Sequence, residues 1–256
     1  MVKSTPLRVA LSVPVWKRPR LTYQTLTHNL SLDIEDVEVV GGVAAHSRRP
    51  DAQVVRQAGW QGVSVENSPL TAKHEAALRA ASEFDVHGVI HLNSDDFLSE
   101  GYLRVLFANR DAAAFCLRHQ EYARGESRQG FHLRDATPGS GTYISMRIID
   151  RADALWPGDQ DRYLDRLLHR TIQTTLREGE TMLRHDNTLG TPARLLGVKM
   201  RDTEQMWALS DLISRAGRVS TFNLKPYLRT HYNTLLHNDR TSSDPNSGMP
   251  PWTRQP

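Results

Sequence analysis

The stretch Val86 to Leu92 most constrains what this chain can fold into, because an apolar run rich in β-formers stops abruptly at Asn93-Ser94-Asp95-Asp96. A short apolar run bounded by turn residues reads as a buried strand, and this one delivers two adjacent carboxylates at its carboxyl end. Upstream, Arg8 to Val15 reads as a strand followed by a basic turn, Trp16-Lys17-Arg18, and Val37 to Ala44 as another. The spacing between the strands predicts helices. One begins at Pro19, where a first helical residue tolerates proline, with Tyr23, Leu26 and Leu30 at helical spacing. Another follows Ser68-Pro69, read as N-cap and first helical residue, with Leu70, Ala77, Leu78 and Ala81 on one face. Alternating strands and helices make an α/β sheet, mainly parallel and flanked by helices. In such sheets ligands lie at the carboxyl ends of strands, where both the basic turn and the acidic pair fall.

Further along, the pattern predicts a helix over Ser99 to Asn109, a strand over Ala112 to Arg118, and a glycine-led strand or strand pair over Gly139 to Ile149. Asp159 to Leu183 reads as largely helical with an interruption at Gly179, and a helix over Thr203 to Ala216 stops at Gly217. From Asn238 the sequence turns to Ser, Asp, Pro, Asn and Gly, the composition of a flexible tail. We therefore expect a core over 1–190, a helical extension packed on it over 191–237, and the tail over 238–256.

Composition narrows the function classes. With 39% hydrophobic and 24% charged residues the chain has the profile of a globular protein. Its longest uninterrupted apolar run, Ala112 to Leu117, is far below the ~18 residues that span a bilayer. The basic start leads into a strand rather than a secretory signal, so a cytoplasmic location without membrane contact is expected. Cys116 is the only cysteine, which excludes an intramolecular disulfide and Cys-rich zinc sites. Lysine occurs only at positions 3, 17, 73, 199 and 225, so the basic residues are mostly arginine, whose planar fork suits phosphate. A GC-rich genome explains the same bias.

Crowded carboxylates such as Asp95 and Asp96 repel unless a cation or shared proton compensates them. A hard divalent ion, Mg²⁺ or Mn²⁺, takes one or two carboxylates plus substrate phosphate oxygens. The plain alternative is that one of the pair caps the helix beginning near Ser99.

The stretch from Val65 to Leu103, VENSPLTAKHEAALRAASEFDVHGVIHLNSDDFLSEGYL, resembles the central segment of the GT-A fold glycosyltransferases, which use nucleotide sugars as donors. There, a strand and an Asn/Pro turn lead to a helix carrying a Lys, then to a strand ending in a D-x-D-type metal motif. The opening ALSVPVWKRPRLTYQTL is similar to the first strand and helix of that fold. The resemblance implies a donor half over about 1–110 and an acceptor half over about 111–190. It implies a nucleoside diphosphate sugar, with a UDP-sugar favoured, held by Pro14, Val15, Trp16, Arg18, Lys73, Asn93, Ser94, Asp95, Asp96, Gly141 and Thr142. It also implies Mn²⁺ or Mg²⁺ at Asp95, assisted by Asp96 and by a late histidine, His231 first and His237 in reserve. Two departures stand out: Asn93 replaces the first acid of the D-x-D pattern, and Ala45-His46-Ser47 replaces the acid usual after the second strand. In the acceptor half, GSGTYIS (Gly139 to Ser145) and WPGDQDRYLDRLL (Trp156 to Leu168) resemble the segments that line the donor sugar and present a general base. Asp161, then Asp159, are the candidates for that base, on a helix N-terminus that would fix them within reach of a hydroxyl. The helix dipole favours Asp there without any catalytic role.

For the acceptor, Arg162, Arg166 and Arg170 fall at i, i+4 and i+8, a like-charge row that an anionic partner would relieve, or that Asp165 neutralises locally. With the Arg-rich composition and the lack of an anchor, this row suggests 5-hydroxymethylcytosine in double-stranded DNA, as in phage-type DNA-modifying glycosyltransferases. The base would be flipped and stacked on Trp156, Tyr143 or Trp16, with steeply salt-dependent binding. A glycan or small-molecule acceptor is the alternative within the class. Outside it stand a metal-dependent nuclease or nucleotidyltransferase using Asp95, Asp96, Asp159 and Asp161, and a binding module that has lost the chemistry. No phosphate-cradling glycine loop supports the phosphoryl-transfer reading.

Overall fold

The structure, a computed structural model, describes residues 5–118, 120–124, 129–133, 139–185, 195–199 and 219–223. In chain order its elements are β1 (Leu7–Pro14), α1 (Pro19–Leu30), β2 (Val37–His46), α2 (Arg49–Gln57), β3 (Gln61–Ser64), α3 (Leu70–Ser82), β4 (Gly88–His91), β5 (Asp96–Leu98), α4 (Glu100–Ala108), β6 (Ala114–Leu117), β7 (Gln120–Arg124), β8 (Gln129–Leu133), β9 (Thr142–Ser145), α5 (Met146–Ile149), α6 (Leu164–Thr175), β10 (Met182–His185), β11 (Leu195–Lys199) and β12 (Val219–Asn223). Seven strands form one sheet in the order β10-β6-β9-β4-β1-β2-β3. β1 runs parallel to β2 and β4, while β9 lies antiparallel between β4 and β6. A second sheet, β12-β8-β7-β11-β5, grows from the residues just after the tip of β4.

Strand periodicity explains both cores. Successive side chains point to opposite faces, so Val9, Leu11, Val13, Ile90 and Leu92 join one cluster with Leu26 of α1, Val55 of α2 and Leu103 of α4. Ala10 and Val89 face the other way, against Leu78 of α3, Ile148 of α5 and Leu168 and Ile172 of α6. A central strand buried on both faces is nearly continuously apolar, which is why β1 and β4 carry the clearest signal. Each fully buried Leu or Ile contributes about 1.5–3 kcal/mol relative to exposure.

The same parity carries polar groups inward. Ser12 lies on the Ala10 face and His91 on the Val89 face, so both meet α3 inside the core, where each is buried.

Several sequence expectations change. α3 starts at Leu70 with Pro69, not Ser68, in the cap position and without a side-chain cap of its own. Asp159–Leu183 is not one broken helix: α6 covers Leu164–Thr175, and β10 follows at Met182–His185. Asp159, Asp161 and Arg162 thus lie in the loop before α6, so only Arg166 and Arg170 of the arginine row share the helix. Ser99 caps α4 itself, its hydroxyl accepting from the Tyr102 N–H, so neither Asp95 nor Asp96 serves as that cap. In the expected helical extension, the described stretches Leu195–Lys199 and Val219–Asn223 are strands of the second sheet. The helix expected over Thr203 to Ala216, His231, His237 and the tail lie outside the described residues.

Candidate active site

The carboxyl tips of β1 and β4 come together as parallel neighbours, and their turns carry the charged groups. After β1, Lys17 and Arg18 both adopt left-handed backbone, φ 57° and 54°, a conformation that side chains with a Cβ enter at a cost of about 1–3 kcal/mol each. The surroundings hold this turn from several sides. The Val15 N–H donates to the Ala45 carbonyl of β2 at 2.8 Å, and the Thr22 N–H to the Arg18 carbonyl at 2.9 Å. Lys73 Nζ, reaching over from α3, donates to the Val15 carbonyl at 2.6 Å and to Asn67 Oδ1 at 2.9 Å.

The turn aims Arg18 at the acidic tip. Its guanidinium donates to Asp95 Oδ2 at 2.9 Å and approaches Ser94 Oγ at 3.4 Å. Asp95 has only 4% of its side chain exposed against 20% for Arg18, so a nearly buried carboxylate is compensated by a cation that still reaches solvent. Asp96, fully buried, begins β5. Asn29 of α1 binds the backbone there, donating to the Asp96 carbonyl and accepting from the Leu98 N–H, both at 2.9 Å. Behind it, burial pushes the Tyr122 phenol far up, and the Asp96, Asp165 and Asp95 carboxylates push it further.

The glycine segment closes the site on the β9 side. The Asn93 N–H donates to Ser140 Oγ at 2.9 Å, and the Gly141 N–H to the His91 carbonyl at 2.7 Å. Tyr102 of α4 donates to the Gly141 carbonyl at 2.7 Å. Gly141 sits at φ 74°, a conformation glycine adopts without strain. Thr142 is fully buried, its hydroxyl 3.4 Å from His169 Nε2.

Trp16, half-buried, lies among three cations, with Lys17 and Lys73 Nζ at 5.2 and 5.3 Å from its ring centroid and the Arg48 guanidinium at 5.7 Å. Burial lowers the Lys73 ammonium to about 8, a shift that Asp51 partly opposes. Asp51, buried in the first turn of α2, is raised by burial and lowered in turn by Arg48, the Lys17 N–H, Lys73 and His46. An acid therefore does stand near the tip of β2, supplied from α2 where Ala45-His46-Ser47 lacks one.

Beneath the tip, Ser12 Oγ lies 3.0 Å from His91 Nδ1, and His91 Nε2 lies 2.9 Å from His74 Nδ1. Trp156 covers both rings at 4.7 and 5.2 Å between centroids. Burial, and then Lys73, pushes His74 down to about 3; burial and His74 hold His91 well below its ordinary value. Both rings are thus neutral near pH 7. Glu75 holds the covering loop, accepting from the Leu155 and Trp156 N–H groups at 2.8 and 3.1 Å while pairing with Arg79 at 2.7 Å.

The structure brings Arg18, Ser94, Asp95, Asn93 and Gly141 to one place and sends other candidates elsewhere. Trp156 and Tyr143 are core side chains, 3% and 1% exposed, so neither offers a face to a flipped base. Lys73 is committed to the β1 turn. Asp161 caps α3 from across the fold, accepting from the Leu70 N–H at 2.7 Å and the Ser68 hydroxyl at 3.1 Å. Thr71 ties the same loop down through the Gly158 carbonyl at 2.7 Å. Asp159, Arg166 and Arg170 are exposed. Sequence reasoning missed Ser12, His74, His91, Glu75 and Asp51; a histidine inside an apolar strand was the one local signal, and its partners are remote in sequence.

The described residues do not by themselves make a seat for a divalent metal: no three of His, Cys, Asp and Glu among them come together to hold one, and Asp95 already carries Arg18.

The sequence matches no family profile and no curated protein. Solved structures do match. The S. aureus protein TarS, residues 1–349, in complex with UDP-GlcNAc is 12% identical with a TM-score of 0.54 over 78% of this chain. A longer TarS structure is 11% identical with a TM-score of 0.52 over 75% of this chain. The fold is GT-A. The chain spans 60% of the shorter TarS structure and 37% of the longer one. Among the described residues no helix is long and apolar enough to cross a membrane.

Proposed function

We propose that this chain transfers a sugar from a nucleoside diphosphate sugar, a UDP-sugar first, to an acceptor hydroxyl. The observation that carries the proposal is the Arg18–Asp95 pair with Ser94 at the adjoining tips of β1 and β4, the position where α/β sheets bind ligands. The GT-A fold and the UDP-GlcNAc held by TarS support it. In the reaction the acceptor oxygen bonds to the anomeric carbon, the bond from that carbon to the phosphate oxygen breaks, and the nucleoside diphosphate leaves as an anion. Arg18 is the described cation placed to meet that charge, with half-buried Trp16 beside it as a stacking surface.

Asp161 is the first candidate to take the acceptor proton, being exposed at the N-terminus of α3; Asp159 is the second. For the acceptor, the exposed Arg166 and Arg170 support hydroxymethylated DNA, and a glycan or small-molecule hydroxyl suits the same donor site. The test is a screen by intact mass. UDP- and GDP-sugars are offered with DNA containing 5-hydroxymethylcytosine or plain cytosine, beside an Asp95→Ala control. Sugar-sized mass gain on the hydroxymethylated DNA, lost in the variant, establishes donor and acceptor. Donor cleavage without DNA modification keeps the transferase and removes DNA; no sugar chemistry with any donor sinks the proposal.

A further inference from the structure

The β1–α1 turn raises a physical question: why two consecutive non-glycine residues sit in left-handed backbone, held by groups from β2, α1 and α3. Lys17 and Arg18 each have a Cβ, so the turn is strained at both positions. The holding groups are buried or backbone: Lys73 Nζ on the Val15 carbonyl, Val15 N–H on Ala45, and Thr22 N–H on Arg18. Such a turn persists where the surroundings over-determine it, and here it sets the Arg18 guanidinium on Asp95 and Ser94.

We propose that Arg18 is the cation this site supplies for itself, occupying on Asp95 the place a divalent metal would otherwise take and serving the donor diphosphate directly. Three observations carry it. The guanidinium donates to Asp95 Oδ2 at 2.9 Å, a charge-assisted hydrogen bond that takes up this oxygen. The tip has Asn93 where a further acid would add a ligand, and no third described ligand joins the pair. Arg18 keeps 20% of its side chain exposed, and a guanidinium has more donor groups than one carboxylate oxygen uses, so its remaining N–H groups can meet phosphate oxygens. A metal ion at Asp95 would sit against this fixed positive charge, and like charges at contact distance repel strongly where water is scarce. The function of Lys73 follows: its ammonium holds the carbonyl from which the turn departs, which makes it a positioning residue for Arg18.

This inference rests on the nucleotide-sugar reading, and its test separates the two. The first arm needs no nucleotide: uptake of Mn²⁺ alone is followed by electron paramagnetic resonance in the full chain, in Arg18→Gln and in Arg18→Gln combined with Asp95→Asn. Wild type leaves Mn²⁺ free, and any uptake that Arg18→Gln gains is lost again in the double variant. Mn²⁺ bound by wild type and lost in Asp95→Asn would overturn the proposal. The second arm titrates UDP calorimetrically with EDTA or with Mn²⁺. Wild type binds within about twofold in both media, Arg18→Gln loses about tenfold or more in EDTA and regains part of it in Mn²⁺, and Arg18→Lys retains an intermediate affinity. A fall of more than about tenfold on chelation in wild type overturns the assignment. Absence of UDP and GDP binding under every condition overturns the donor reading, and with it the diphosphate half of this proposal, while the Mn²⁺ arm still decides what occupies Asp95. Circular dichroism melts confirm that each variant is folded, and Arg18→Lys serves where Arg18→Gln is not.

Discussion

Along one short stretch, from His91 to Asp95, the end of β4 and the turn after it treat polar groups in two opposite ways. His91 points into the core and is kept neutral, linked to Ser12 and His74 beneath Trp156. Asp95, a few residues on, is charged and joined to a guanidinium that reaches solvent. The difference teaches how a sheet can place polar chemistry near a ligand. Inside, desolvation favours the uncharged ring and hydrogen bonds replace water. At the tip, a charge is kept by giving it a partner, and that partner still reaches solvent.

The largest effect that can break this comparison is on the buried side. Trp156→Ala uncovers both imidazoles and leaves a cavity, and is expected to cost about 3–5 kcal/mol, read by chemical denaturation. A loss below about 1 kcal/mol would mean that the ring is not part of the core.

Next comes acid. The folded-state values of His74 and His91 lie below that of an unfolded imidazole, about 6.5, so below that pH the unfolded chain holds protons the folded one excludes. Stability is therefore full above pH ~6.5 and falls as pH drops, by up to ~1.4 kcal/mol per pH unit for each histidine. His169, lowered to about 4 by burial and by Arg184, adds to the same slope over a narrower window. Melts from pH 8 to pH 4 should show the decline, and His74→Gln should flatten it. A flat profile in wild type would contradict neutral burial.

A smaller effect sharpens the charged side. Asp161→Ala removes the cap on the Leu70 N–H and should cost about 1 kcal/mol, whereas Asp161→Asn should keep most of that stability. If Asp161 is also the base, Asp161→Asn turns over slowly while remaining folded. Unchanged turnover would reduce Asp161 to a cap. The smallest expected effect is at Arg166 and Arg170, where alanine should shift stability by no more than about 0.5 kcal/mol; any loss of DNA affinity there reads out the acceptor alone.

How much of this was legible in the sequence follows from range. β1, α1, β2, α3 and β4 could be read because their apolar runs and proline positions are local, and Asp95 because a strand ending in acids is a local pattern. Asp161 was placed on the wrong helix because capping across the fold joins residues distant in sequence, the Leu70 N–H to a loop before α6. Trp156 and Tyr143 were read as stacking surfaces because an aromatic side chain looks the same inside and out until its neighbours are known. Arg18 could be read as a candidate for the nucleotide side from its place after a strand, but its pairing with Asp95 depends on the left-handed turn, which no residue in Trp16-Lys17-Arg18 signals. Short strands such as β5 and β3 carry too few residues for a period to show.

The central claim is that a nucleotide binds at the charged tip and not over the buried histidines, and hydrogen exchange with and without UDP tests it most directly. The account predicts slowed exchange in 15–18, 93–96 and 140–142, with the backbone of α6 unchanged. Protection confined to α6 and the 150–156 loop, or none with UDP or GDP, would contradict it.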